Sequence, residues 1–310
     1  MSFDDVEKAR IKYRNKLIVV IIVSLIIFIT VGILNSVFLD GEFSVQLLFA
    51  FFIALFVIGS LIVSGDKKSY TLTFKEFFVK NSLEKVFTDL MYKPESGISP
   101  NVIRDTGMMN MGDRYSSEDF VSGKYKDIGF CQADVHIEEE HQSTDSEGHT
   151  TTYYVTIFKG RWMIFDFNKT FKANVQVCQK GFGNNKVINS IFSKSTRYQK
   201  IQMESTDFNK RFLVYAQDAH DAFYIITPHI MEKIIKLSGD SKGKILLCFI
   251  NNQLHVGLYD NKDSFEPSSC FSTIDTERVT QNVLSDINKI TMFVDELELD
   301  NDLFKSYNVN

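Results

Sequence analysis

The chain has 310 residues, 44% of them apolar, with 34 Lys and Arg against 39 Asp and Glu, a net charge of −5. Beyond residue 65 the balance is 29 (34 − 5) to 34 (39 − 5), so the larger part of the chain carries the whole negative excess. That excludes a nucleic-acid backbone as an expected partner. Four widely spaced cysteines without a C-x-x-C pair suit a reducing compartment, where Cys131, Cys178 and Cys248 read as small core hydrophobes; their even number would allow disulfides in an exported domain.

Residues 17–39 and 43–65 are uncharged, separated only by Asp40-Gly41-Glu42. A hydrocarbon core of roughly 30 Å needs about 20 residues of helix, so each stretch is long enough to span. The short connection predicts an antiparallel hairpin embedded in the bilayer through residues 17–65. A cleaved signal peptide fits poorly, because the first apolar run is too long and a second follows at once. Lys8, Arg10, Lys12, Arg14 and Lys16 precede the hairpin and Lys67-Lys68 follows it. The distribution predicts an integral membrane protein with both termini cytoplasmic. Gly32/Ser36 and Ala50/Ala54 have small-x-x-x-small spacing, which serves packing within the hairpin or self-association.

Residues 1–16 form a basic tail, and 66–310 a cytoplasmic domain that a polar bridge at 181–197 divides into two lobes, 66–180 and 198–300, if it divides at all. Phe74, Phe77, Phe78, Leu83, Val86, Phe87 and Leu90 recur at helical spacing, predicting an amphipathic helix over 69–90. Strands are predicted at 120–126, 130–140, 151–168 and 173–179 as an antiparallel meander. A strand at 212–215 precedes helical sequence from Asp218, and Thr227-Pro228 starts a helix, with Thr as N-cap and Pro at the first position. Residues 245–250 and 254–259 form a hairpin around Asn251-Asn252, 275–297 a last helix, and the acidic end from Asp295 frays. The fold class is α+β: a transmembrane hairpin, then a soluble domain with an antiparallel meander and several helices.

Several pieces occur in a specific order: Asp113-Arg114-Tyr115 with Glu118-Asp119, Phe158-Lys159-Gly160 with Asp166-Phe167-Asn168-Lys169, Met203-Glu204 with Asp207-Phe208, Phe212-x-Val214-Tyr215, and Ala222-Phe223-Tyr224-Ile225-Ile226-Thr227-Pro228. In these the chain resembles a bacterial family of two-span membrane proteins classified only as a domain of unknown function. The resemblance implies the same anchor-plus-domain layout in a bacterial cell (inner) membrane and brings no catalytic residues with it. Arg161-Trp162 stands where it implies two apolar residues.

His136, Glu138, Glu139, Glu140, His141, Asp145, Glu147 and His149 crowd one short stretch, yet their spacing matches no metal signature, and a solvated hairpin tip is predicted. The Gly239 to Lys244 segment has too few residues between its glycines for a phosphate-binding loop and reads as a turn. Three residues are candidates for binding: Arg114, suited to a carboxylate or phosphate, and Arg161 and Trp162, of types enriched at interface hot spots. The competing readings, which weigh more, are a turn-capping and salt-bridging role for Arg114 and core packing for the sole Trp. No cofactor is implied. The chain thus reads as a membrane-tethered interaction or scaffold module with a protein- or small-ligand-binding surface. The alternative is an anchored hydrolase or transferase whose site is assembled from distant residues.

Overall fold

A computed structural model describes residues 1–38, 45–146, 148–166, 174–182 and 198–299. The turn between the two apolar segments, the Phe167-Asn168-Lys169 motif, most of the polar bridge and the acidic end beyond residue 299 lie outside these residues, while Asp295 to Leu297 stay helical. The chain divides into two compact units, one built from Met1–Ser82 with Glu266–Asn282, the other from Leu83–Phe265 and the residues after Asn282.

In the first unit, α1 (Phe3–Phe38) and α2 (Val45–Phe74) pack antiparallel. The order of their contacts fixes the direction: Phe28 meets Phe52, Lys16 meets Asp66, and Tyr13 stacks on Tyr70. Along the apolar stretches Ile22, Ile26, Ile33, Phe49, Phe56 and Leu61 face outward, as bilayer-spanning helices require and soluble ones avoid. Each helix contains an apolar window long enough to cross a membrane. At 36 residues α1 is about 54 Å long, well beyond a bilayer core of about 30 Å, so its basic N-terminal turns continue the same helix. The helices come close at Gly59, where a Cβ would come within 2.6 Å of Val20, whereas Gly32 has open space around it.

Beyond the apolar window the helices are held by polar contacts. Asp66 accepts Lys12 at 2.9 Å and Lys16 at 2.6 Å. Arg10 donates to the carbonyls of Cys270 (2.7 Å) and Ser272 (2.8 Å), and buried Lys75 pairs with Glu266 at 2.5 Å. The helix expected over 69–90 is shorter than its periodicity suggests. After α2 comes a π-helical turn, Lys75–Lys80, and the helix closes at Leu83, whose carbonyl accepts both Val86 and Phe87 N–H. Phe87 is taken up by the sheet instead, its ring 4.6 Å from that of Phe130.

The second unit is built on one antiparallel sheet. Its strands are β1 (Thr88–Lys93), β2 (Arg114–Tyr125), β3 (Ile128–Thr144), β4 (Thr150–Asp166), β5 (Val175–Gln179), β6 (Gln199–Ile201), β7 (Phe212–Ala216), β8 (Lys244–Ile250) and β9 (Gln253–Tyr259). Their order is β1-β2-β3-β4-β9-β8-β5-β7-β6. The first four strands do not make one continuous meander with β5, because β9 and β8 lie between β4 and β5. Val175 through Cys178 are buried on both faces, a pattern that belongs to a central strand flanked on either side. The β8–β9 hairpin turns at Asn251, whose φ of 55° suits Asn.

Register puts Ala133, Val135, Trp162, Ile164, Leu246, Cys248 and Cys178 on one face. The segment with α3 (Pro100–Asp105) covers it, and the Thr106 carbonyl accepts Gln176 Nε2 at 2.6 Å. Met163, Phe165, Val256, Leu247, Val177 and Val214 line the other face, where Phe293 of α7 (Thr276–Leu297) meets Phe165. Short helices α4 (Thr206–Arg211) and α5 (Ala219–Ile225) start at Ser205 and Asp218 caps. Helix α6 (Pro228–Asp240) starts, as its sequence predicts, at a Thr227 cap whose hydroxyl accepts Ile230 N–H.

Candidate functional site

β3 and β4 each run 17 residues and outreach their neighbours. β2 leaves β3 at the Arg114–Glu138 pair, and β9 joins β4 only from Gly160. Residues 139–144 and 150–155 therefore form a two-stranded ribbon, set off from the sheet by an extra residue, Ile157, where the register shifts between Ile137 and Glu138. The β4 side of this ribbon, Thr-Thr-Thr-Tyr-Tyr-Val-Thr over 150–156, has no charge and no proline, the devices that usually blunt an open strand edge.

At the base of the ribbon the exposed Arg114 guanidinium lies 3.4 Å from the Tyr154 ring centre, and the Tyr154 hydroxyl donates to Glu140 Oε2 at 2.8 Å. That bond raises the phenol's pKa, since losing the proton would set two anions together. Asp113 caps the corner by accepting Glu140 N–H at 2.7 Å. On the opposite face His141 stacks on Tyr153 with ring centres 5.6 Å apart, and Tyr153 and Val155 are 48% and 39% exposed.

The crowded His and carboxylate side chains pair two by two. His141 meets Glu139 at 3.2 Å, His149 meets Asp145 at 3.3 Å, and His136 lies 3.7 Å from Glu138. Glu147 is outside the described residues. Among those described, no three of these donors converge within a metal's reach.

Arg161 and Trp162 sit in the broad part of the sheet, where β4 has a neighbour on each side, and point to opposite faces. Both are fully buried. Arg161 Nε donates to Ser264 Oγ at 2.6 Å, and Nη2 lies 2.8 Å from Asp286 Oδ1. Nη1 donates to the Asp286 carbonyl, and Asp134 stands 3.8 Å from Nε while accepting the Ser264 N–H. Burial pushes the Asp134 carboxyl up to about 7, against the opposing pull of Arg161 and of the Ser264 N–H. This cluster fixes the 264–265 loop and α7 to the sheet.

Trp162 Nε1 donates to His255 Nδ1 at 3.3 Å, and Gly257 leaves room for the indole, since a Cβ there would come within 2.9 Å of it. Burial lowers the His255 pKa to about 4 and keeps it neutral, the state that can accept this bond. The structure therefore brings together Arg161 with Asp134 and Trp162 with His255, and leaves Arg114 at the surface. Tyr153, Tyr154 and Val155 were not singled out in the sequence, although their uncharged β-branched and aromatic run was the available signal. All four cysteines are free, with Cys131 half-buried and the others buried. Burial raises Cys131 to about 11 and Cys178 to about 12, so these thiols pack rather than react.

Residues 156–299 match the family model described as a protein of unknown function (DUF3137). The match bears out the resemblance to a family of uncharacterised domains, and it takes in Arg161 and Trp162 while leaving out α1, α2 and Arg114. No curated protein matches. Among solved structures the chain is similar to the crystal structure of the mycobacterial trehalose monomycolate transport factor A, TtfA. Identity is 10%, with 74% of this chain and 94% of that one covered, at a TM-score of 0.40. A likeness at that level carries no argument about fold or function.

Proposed function

We propose that the chain is a membrane-tethered interaction module that offers the β3–β4 ribbon to a protein partner on the cytoplasmic side. The observation that carries this reading is the open β4 edge over 150–156, an uncharged run rich in Thr, Tyr and Val with no second neighbouring strand among the described residues. Such an edge suits an extended peptide that adds as a further strand, with main-chain hydrogen bonds supplying affinity and exposed side chains supplying specificity. Tyr153 and Val155 provide apolar contact, and Arg114 at the base provides a fork for a carboxylate. The tether supports the placement. Arg10 before the first span and Lys75 after the second both hold the 266–272 segment, so the two outer ends of the hairpin belong on one side. Basic residues on both flanks favour the cytoplasm.

The test is a photo-crosslinking residue in place of Tyr153, activated in intact membranes. The expected result is a discrete protein adduct that weakens when Thr150→Lys and Thr152→Lys place charge on the same edge. Equal capture from a probe at Lys236 on α6, or capture indifferent to the two lysines, would contradict the reading.

A further inference from the structure

We infer that the seam between α1 and α2 is a binding site for one anionic diacyl phospholipid. A groove of about 630 Å³ runs along one side of the helix pair, walled by Leu17, Ile21 and Leu25 of α1 and by Phe52, Phe56 and Val63 of α2. Between these larger side chains α2 contributes the small Ser60 and Ser64, which leave the trough open. The two serine hydroxyls turn back to carbonyls of their own helix, each at 2.7 Å, so they present little polarity to the groove. From Tyr13 to Leu25 the α1 wall is about 18 Å long at helical rise, on the scale of an extended acyl chain.

The two ends of the groove differ. Its inner end carries no charge, with Ser24 the one polar residue among Leu25, Phe52 and Phe56, whereas Tyr13 and Lys67 line the outer end, just past the last uncharged residue of the span. Lys12 and Lys16 share the single carboxylate of Asp66, so that cluster keeps one positive charge at this level. Lys67 has no ion-pair partner among the described residues and is exposed. An apolar trough about one acyl chain long that ends on an unneutralised ammonium at the water boundary selects an amphiphile with a long chain and an anionic head. Phosphate-headed lipids meet that description with the head at Lys67 and a chain along the seam. A second copy's helix would fill the trough and gain nothing from Lys67.

The test uses the full chain in mild detergent, delipidated and offered equal amounts of phosphatidylglycerol and phosphatidylcholine, with bound lipid counted by native mass spectrometry. One phosphatidylglycerol per chain is expected, preferred about fivefold, the factor one Lys contributes near an anionic surface. Lys67→Gln should remove most of the preference. Ser60→Leu with Ser64→Leu, which fills the trough, should reduce retention of both lipids, while Ser60→Ala with Ser64→Ala should retain them and report on folding. Equal binding of the two lipids by the unaltered chain, or undiminished binding by the leucine variant, would overturn the site. So would a dimer in lipid-free detergent that the leucine variant breaks, because the occupant would then be a second copy.

Discussion

Taking away the Arg161 guanidinium removes the cation that faces the buried Asp134 carboxyl, while Asp286 keeps Lys289 at 3.3 Å. Breaking a buried pair from one side costs about 3–5 kcal/mol. Arg161→Ala is therefore expected to lower the thermal midpoint sharply, and Arg161→Lys to recover little, because a point charge cannot reach Ser264 and Asp286 together. Full rescue by Lys would show that only the charge matters. The pH response follows from two groups of opposite sign. Neutral His255, lowered from 6.5 to about 4, contributes stability that is complete above pH 6.5 and is lost as the pH falls through 4. Asp134, raised from 3.8 to about 7, contributes most below pH 3.8 and loses that contribution as the pH rises through 7. Across this window the slopes oppose, and the unaltered chain should be nearly flat. In denaturant titrations Asp134→Asn should lose stability as the pH drops from 6.5 toward 4, and His255→Gln should lose it as the pH climbs toward 7. A steep slope in the unaltered chain would contradict the opposition.

The ribbon and the helix after the hairpin show what local pattern carries. Strands β2, β3, β4, β7, β8 and β9 were legible because their β-branched and aromatic runs are bounded by turn residues, and Thr227-Pro228 marked α6 by capping chemistry alone. The place of β5 was not legible, since which edge a strand joins depends on strands some 70 residues later, and no local period encodes that. The helix over 69–90 overran for a related reason. Phe87 keeps the helical spacing of Phe74, Phe78 and Leu83, but its ring is more stably used against Phe130. Arg161 read as a surface anchor because the partners that bury it, Ser264 and Asp286, lie more than a hundred residues downstream. For the ribbon, pairwise His–carboxylate contacts at half-exposed or exposed positions predict that alanine at His136, His141 and His149 changes stability by less than about 0.5 kcal/mol. A large fall in melting temperature with loss of a stoichiometric metal would refute this.

At the scale of the whole chain, a hairpin with outward-facing apolar helices is joined to a sheet whose strands satisfy one another. A chain beginning at Asp66 keeps Tyr70 and Lys75 as partners for Ser268 and Glu266 but loses Arg10 from the Cys270 and Ser272 carbonyls. It is expected to be soluble, with mixed α and β circular dichroism and a cooperative transition, and to be cleaved by protease faster near residue 271. Aggregation of this chain would place the helix after residue 66 with the membrane part. The side of the membrane on which the ribbon lies decides most directly whether the proposed module is right. Tyr153→Cys puts a thiol at an exposed ribbon position, against native cysteines that are buried or half-buried. In spheroplasts treated with a membrane-impermeant maleimide, position 153 should stay unlabelled until the membrane is permeabilised and then label well above the unaltered chain. Efficient labelling in intact spheroplasts would put the ribbon outside the cell and contradict the account.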